Sequence, residues 1–474
     1  MTDFHSHTVQ LPPGTELDPL ILAGNDGCYF SRDGMTIATK GVAARFELSN
    51  GIDDTSDLRR CIELFRSFDG DQIDNQPGTG AVLLGAVPFD PSQPMQLIVP
   101  ELSYVRERDG SEWITHIGTT STPATTANEL ASLLLQSACQ GSCETSEWRS
   151  PSSPATSSKE RLEHLSSTSS ADYEKMVEVA LEAIDGKMVD KVVLAREVLF
   201  RTEASYDPIS LLRYAQSQVE PLTYFHLGSL IGASPELLIS KMDRVISSCP
   251  LAGTRELSQW RDKSPANIDG IAGKSPNSGN SGLPASPTND SPVPHEQQEL
   301  EHSIKDLAEH RFVVDAVTRT ISPLCSSIMV PPVPQALSLQ TLVHLSTPIK
   351  GVLAEQYAQL TVLELVSLLH PTPAVGGVPK DKAISLIKEL EPFERGNYGG
   401  AVGWMDKAGN GEWAIAIRCA EVEDHVVRML AGAGIVRGSV PNQEAAETAA
   451  KIRSTLQLFW PESDPTEINK ALAG

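Results

Sequence analysis

Ala414-Ile-Ala-Ile-Arg418-Cys419, Leu430-Ala-Gly-Ala-Gly434-Ile-Val436 and Pro441-Asn-Gln-Glu444-Ala-Ala-Glu447-Thr-Ala-Ala-Lys451 follow one another near the end of this chain. Together they read as an anion site facing a metal site. The first run is β-rich and delivers one arginine. The second is expected to form a glycine-rich turn that lets backbone N–H groups approach a ligand. Pro441 and Asn442 then open a helix, where a missing N–H does no harm. On that helix Glu444, Glu447 and Lys451 fall at i, i+3 and i+7 and share one face. A solvated face with a Glu447–Lys451 pair would show the same spacing. The arginine and the glycines just before the helix place these charges as a site would.

With 474 residues the chain can bury a large core, as one big domain or two to three ordinary ones. Its 38 basic and 61 acidic residues give a net charge of −23, which repels nucleic acid and anionic membranes. Neither partner is expected. The start, Met1-Thr-Asp-Phe-His-Ser-His7, has no basic and apolar leader pattern, and no apolar run reaches the roughly 18 residues of a membrane span. A cytoplasmic location is the expectation. Seven cysteines without Cys-x-x-Cys spacing fit reduced thiols, and Cys139 and Cys143 have no His or Cys partner at zinc-site spacing.

Residues 1–150 alternate β-rich runs with turn signals. Gly34 to Gly41 and Gly80 to Phe89 are strand candidates, and Leu58–Phe68 and Ala127–Gln136 are predicted helices. The Ser/Thr/Pro-rich residues 151–170 read as a linker. Beyond them Tyr173, Val177, Ala180, Leu181 and Ile184 mark an amphipathic helix, with Ser169 and Asp172 spaced as a cap and Gly186 at its end. Lys191-Val-Val-Leu-Ala-Arg196 reads as a strand, with Lys191, Val193 and Ala195 on one face and Val192, Leu194 and Arg196 on the other. Residues 264–294 carry hardly any large apolar side chain, so a disordered insertion is expected there. After it, Leu300, Ile304, Leu307, Val314 and Val317 form one stripe of a long helix. Glu309 lies off that stripe beside Phe312, Val313 and Ala316, either as a surface residue or as a buried carboxylate that needs a cation.

Several motifs fail. His295 and His302 are seven apart and lack the i,i+4 spacing of a zinc helix. Gly432, Gly434 and Gly438 match neither a dinucleotide fingerprint nor a P-loop, and Gly232-Ala-Ser234-Pro-Glu236 lacks the second glycine of a nucleophile elbow.

A longer series of short motifs does carry a resemblance. It comprises Asp190-Lys191-Val-Val-Leu-Ala-Arg196, Gly232-Ala-Ser-Pro-Glu236, Pro250-Leu-Ala-Gly253-Thr254, Lys305-Asp306-Leu-Ala-Glu309-His310, His344-Leu345, His370-Pro-Thr-Pro-Ala374, Glu391-Pro-Phe-Glu394-Arg395, Ile417-Arg418-Cys419 and Gly432-Ala-Gly-Ile435. In content and order this series resembles the chorismate-utilising enzymes over residues 171–460, with Phe30-Ser31 and Gly85 to Pro91 extending it. The resemblance implies an α+β fold: a single large chorismate-binding domain of two extended antiparallel β-sheets packed face to face, with helices outside. Residues 1–150 would be the N-terminal β-rich part of that fold, 151–170 a linker, and 171–465 the catalytic region.

Three positions speak to the subtype. Similar aminodeoxychorismate synthases carry a nucleophilic lysine where this chain has Ala252, and Lys350 lies elsewhere in the motif order. Anthranilate synthases usually have Gln where Lys191 stands and take ammonia from a glutaminase, so no glutaminase subunit is expected here. Ala374, where salicylate synthases tend to have Thr, favours an isochorismate synthase. A salicylate synthase and an inactive binding homologue are the alternatives. The latter would show loss of Lys191, Glu236, Glu309 or Glu447, and all four are present.

By the same resemblance Lys191 would activate the water that attacks C2 of chorismate, and Glu236 would protonate the departing C4 hydroxyl. A lysine of ordinary pKa about 10.4 needs desolvation or cationic neighbours for that task. Glu236 needs an apolar or anionic setting to hold its proton. Glu309 and Glu447 would bind Mg²⁺, with Glu444 acting through a metal-bound water. Arg418 and Lys451 would hold carboxylates, with Gly253, Thr254, His344, Ala374, Tyr398 and Gly432 completing the substrate cradle. The implied protein is a monomer whose product feeds menaquinone or catechol siderophore synthesis.

Overall fold

Alternating apolar residues in the strands Cys28–Arg32 and Met35–Lys40 pair across a two-residue turn, with Arg32 opposite Met35. Asp33 and Gly34 both take positive φ there, the backbone that matches the twist of a tight hairpin. This hairpin sits near the middle of a 13-stranded sheet. On one side the sheet runs through Thr223–Leu227, Leu230–Ser234, Cys419–Glu423 and Val426–Val436 to Lys191–Thr202. On the other it runs through Leu102–Arg106 and Glu112–Thr119 to Phe4–Gln10. In this computed structural model, residues 4–119, 162–257 and 295–473 are described, with short gaps at 16, 71–72, 74–75, 204–205, 219–221 and 340.

A nine-stranded antiparallel sheet faces the first. It includes Val82–Val87, Leu237–Met242, Val245–Cys249, Ala401–Asp406 and Gly411–Ile415. Phe30, Ile37, Val105 and Phe225 of the large sheet meet Val82, Leu84, Val402, Trp404 and Ala414 of the second in one buried cluster. Strands from before residue 120 belong to both sheets, so the N-terminal part shares its core with the rest. A three-stranded sheet of Leu251–Glu256, Leu342–Ser346 and Gln335–Ser338 stands beside them. Helices Pro208–Gln218 and Pro441–Phe459 cover the outer face of the large sheet. Thr55–Arg66 and Val362–Leu369 contribute to the other main cluster. No helix of the described residues is long and apolar enough to cross a membrane.

The helix expected after residue 170 spans Ser170–Asp185. Ser169 Oγ accepts the Asp172 N–H at 3.0 Å and the Gly186 N–H closes the last turn on Glu182. Three expectations need correction. Within the Ser/Thr/Pro-rich linker, Leu162–Ser167 is an edge strand paired with Thr202 to Val198, because burying Leu162 against that strand outweighs its polar neighbours. The long helix is two, His295–His302 and Ile304–Ile321, broken where Ser303 caps the second. Its buried face carries Glu309 with Val313, Val317 and Ile321, while Ile304 is 86% exposed. The third correction concerns the glycines. Gly432 and Gly434 lie inside the continuous strand Val426–Val436, opposite Ala195 and Val193, and form no turn. The predicted helix Ala127–Gln136, the expected insertion 264–294, Cys139 and Cys143 lie outside the described residues. The five described cysteines are free thiols.

Candidate active site

Three chain crossings build the site. After Ser234 the chain leaves the large sheet, and Pro235 and Glu236 carry it to Leu237 of the second. Between Ile415 and Cys419 it returns, with Ala416, Ile417 and Arg418 on the crossing. At Pro250 it passes from the second sheet to the three-stranded one, which brings in Ala252, Gly253 and Thr254. Sheet pairing lapses at such crossings, so side chains can turn inward around a space. The resulting cavity encloses about 720 Å³ of space, its open mouth included. Glu236, Gly253, Thr254, Glu309, His344, Ala374, Tyr398, Arg418, Gly432 and Lys451 all line it. Lys191, Glu444 and Glu447 stand behind this lining rather than in it.

The glycines of the strand Val426–Val436 explain how side chains reach the cavity. A Cβ on Gly434 would lie 2.0 Å from Glu309 Oε1 and 3.1 Å from Lys191 Cε. A Cβ on Gly432 would lie 3.3 Å from the Tyr398 hydroxyl. These positions are bare so that functional groups can cross the strand. Gly434→Ala is therefore expected to fold, because the flexible end of Glu309 can move aside. It should lose about tenfold to a hundredfold in turnover through the misplaced carboxylate, and an unchanged kcat/KM would contradict this role for the glycine.

Charge inside the site alternates. Lys191 is fully buried, with Nζ 3.2 Å from Glu309 Oε1 but not aligned for a hydrogen bond. Lys451 Nζ lies 2.8 Å from Glu447 Oε1 and donates to Gly432 O, also at 2.8 Å. Lys305 Nζ lies 2.5 Å from Glu444 Oε1. Burial, and then the neighbouring Glu447, push Glu444 up to about 7. Burial acts on Glu447 too, but the Lys451 and Lys305 ammoniums outweigh it and hold that carboxyl below its usual range. Among the described residues, no three His, Cys, Asp or Glu side chains are gathered closely enough to hold a metal ion.

Glu236 has the opposite setting. Burial drives its carboxyl up to about 8, against the weaker pull of the Leu251 N–H and of the Lys191 and Lys451 ammoniums. It is thus largely protonated at neutral pH and can donate. His344 is held well below its ordinary value by burial and by the cations Arg418 and Lys451, so it is neutral. Its Nδ1 faces Gly253 O at 3.1 Å and must carry the proton, which leaves Nε2 to accept from Arg418 Nη2 at 3.0 Å. Burial lowers Arg418 to about 10, so it is still a cation at neutral pH. Its backbone sits at φ 50°, a strained conformation for a non-glycine residue. An acid, a neutral imidazole and the cations Arg418 and Lys451 around one cavity suit an anionic ligand.

With that geometry in place, comparison with known proteins is decisive. The family described as chorismate binding enzyme matches over residues 24–457. The chain belongs to this family. Isochorismate synthase EntC of Escherichia coli (strain K12) is 33% identical over 440 residues, covering 91% of this chain and 94% of that protein. Isochorismate synthase DhbC of Bacillus subtilis (strain 168) is 38% identical over 301 residues, 61% of this chain and 67% of its own length. Among solved structures, the putative 2,3-dihydroxybenzoate-specific isochorismate synthase DhbC of Bacillus anthracis superposes with a TM-score of 0.66 at 28% identity. That match covers 93% of this chain and 98% of the other.

Within this member of the family, two site features were not among the predicted residues. Arg395 lines the cavity, and Lys305 sits among the carboxylates. Both belong to motifs quoted above, but their roles come from contacts with distant residues. Lys350, set aside on motif order, is exposed on the strand Ile349–Leu353 and does not line the cavity.

Proposed function

We propose that the chain converts chorismate to isochorismate. The observation that carries this reading is the buried Glu236, held protonated to about 8 at the wall of a cationic cavity. In this reading Lys191 acts as the base for the water that attacks C2. Both ring double bonds shift and the C4–O bond breaks, the oxygen leaving with the proton that Glu236 supplies, so one water enters and one departs. Solvent exchange then returns the proton from Lys191 to Glu236. Arg418 and Lys451 hold substrate carboxylates, and Ala252, having no amine, offers no competing nucleophile. The small Ala374 leaves the enolpyruvyl group without the enforced geometry that elimination of pyruvate would need.

Glu309, Glu444 and Glu447 beside the anion pocket carry the hard oxygen donors that a divalent cation prefers, although here each is engaged by a lysine, Lys191, Lys305 and Lys451 in turn, rather than gathered on one point. Mg²⁺ would be held by Glu309 and Glu447 directly and by Glu444 through water, and when bound it supplies charge neutralisation at the substrate's ring carboxylate.

A pH profile tests the proposal. Glu236 is competent while protonated, so kcat for isochorismate formation should hold up to about pH 8 and fall roughly tenfold per unit above it. A profile that keeps rising through pH 9 would remove Glu236 as the acid.

A further inference from the structure

The pairs Lys191–Glu309 and Lys451–Glu447 join residues that the proposed reaction uses, but Lys305 has no part in it. Lys305 is the second residue of the helix Ile304–Ile321. A cation is disfavoured there, because a helix N-terminus carries partial positive charge. What holds it is Glu444, 2.5 Å away and 1% exposed on its side chain. The nearby acids acting on the Lys305 ammonium are Glu444, Glu447 and Glu309, the same three that the proposed metal would engage. The Lys305 side chain is 24% exposed, so its long stem can swing the ammonium into water while Glu444 stays buried.

We propose that Lys305 is the resident counter-ion of the carboxylate cluster and that a divalent cation must displace it. Without Lys305 the buried Glu444 would lose its ion-pair partner, while the neighbouring Glu447 would keep Lys451 and feel the Arg255 guanidinium. With it they are balanced, and the affinity for a dication is held down. This inference rests on the Mg²⁺ reading above.

The test uses the purified full chain, stripped of metal by chelation and titrated calorimetrically with MgCl₂ alone, without chorismate. Lys305→Met should bind Mg²⁺ about tenfold tighter than wild type or more, because one opposing charge is gone. Lys305→Arg should stay near wild type. If Lys305→Met is poorly folded, Lys305→Gln carries the same expectation. Equal or weaker Mg²⁺ binding in the neutral variant overturns the proposal, as does absence of Mg²⁺ binding in wild type and variant alike. A separate turnover assay in excess chelator distinguishes the two levels. Full isochorismate formation there would sink the metal reading itself, whereas chelator-sensitive turnover with unaltered Lys305→Met binding would sink only the counter-ion role.

Discussion

Lys191→Gln and Glu236→Gln should each fold with near-normal melting temperature and lose roughly 10²- to 10⁴-fold in turnover. Both substitutions keep the length and polarity of the side chain while removing its proton chemistry. For Glu236 this is a close substitute, because the carboxyl is already uncharged near neutral pH. For Lys191 the amide removes a buried ammonium facing Glu309, so the melting temperature must be read beside the rate. A folded variant with near-wild-type turnover would take that residue out of the mechanism.

Glu391→Ala should cost about 3–5 kcal/mol of stability, because it strands a buried guanidinium. Arg395 Nε donates to Glu391 Oε2 at 2.8 Å, and Nη2 reaches Oε1 at 2.5 Å. The same guanidinium donates to Val193 O and Val375 O, and Glu391 Oε1 accepts the Ala195 N–H at 2.7 Å. The Phe89 ring packs on it at 4.1 Å. Glu391 and Arg395 thus tie the strand of Lys191 to the wall that carries Ala374. Replacing both by leucine should recover much of the loss, since an apolar pair needs no charge balance. The denaturant midpoint at constant m reads this out, and a loss under about 1 kcal/mol for Glu391→Ala would contradict the clamp.

Much of the fold was legible because local patterns encode it. The period-2 faces of Lys191 to Arg196 hold in the structure: Val193 meets the cavity, while Val192 and Leu194 join the cluster that includes the helix Ser170–Asp185. Pro441 does open a helix, and Glu447 and Lys451 do meet on it. Ten of the residues that the resemblance implied for the site line one cavity. What stayed hidden was long-range. A glycine signals bare backbone but not its use, so Gly432 and Gly434 read as a turn when their role is to let Tyr398 and Glu309 approach a strand. Lys305 and Glu444 are 139 positions apart, and no periodicity links them. The edge strand Leu162–Ser167 has the composition of a linker and gains its structure from the strand beside it and from the helix Pro465–Ala473, whose Glu467 accepts the His164 N–H.

The central claim is a water-adding isomerase built on Lys191 and Glu236, and product analysis tests it most directly. The enzyme is incubated with chorismate and Mg²⁺ at neutral pH, the products are separated by chromatography, and pyruvate is followed in parallel with lactate dehydrogenase. A reversible mixture of chorismate and isochorismate with little pyruvate is the predicted result. Prompt enzyme-dependent pyruvate at the rate of chorismate loss, with salicylate as its partner, would contradict it.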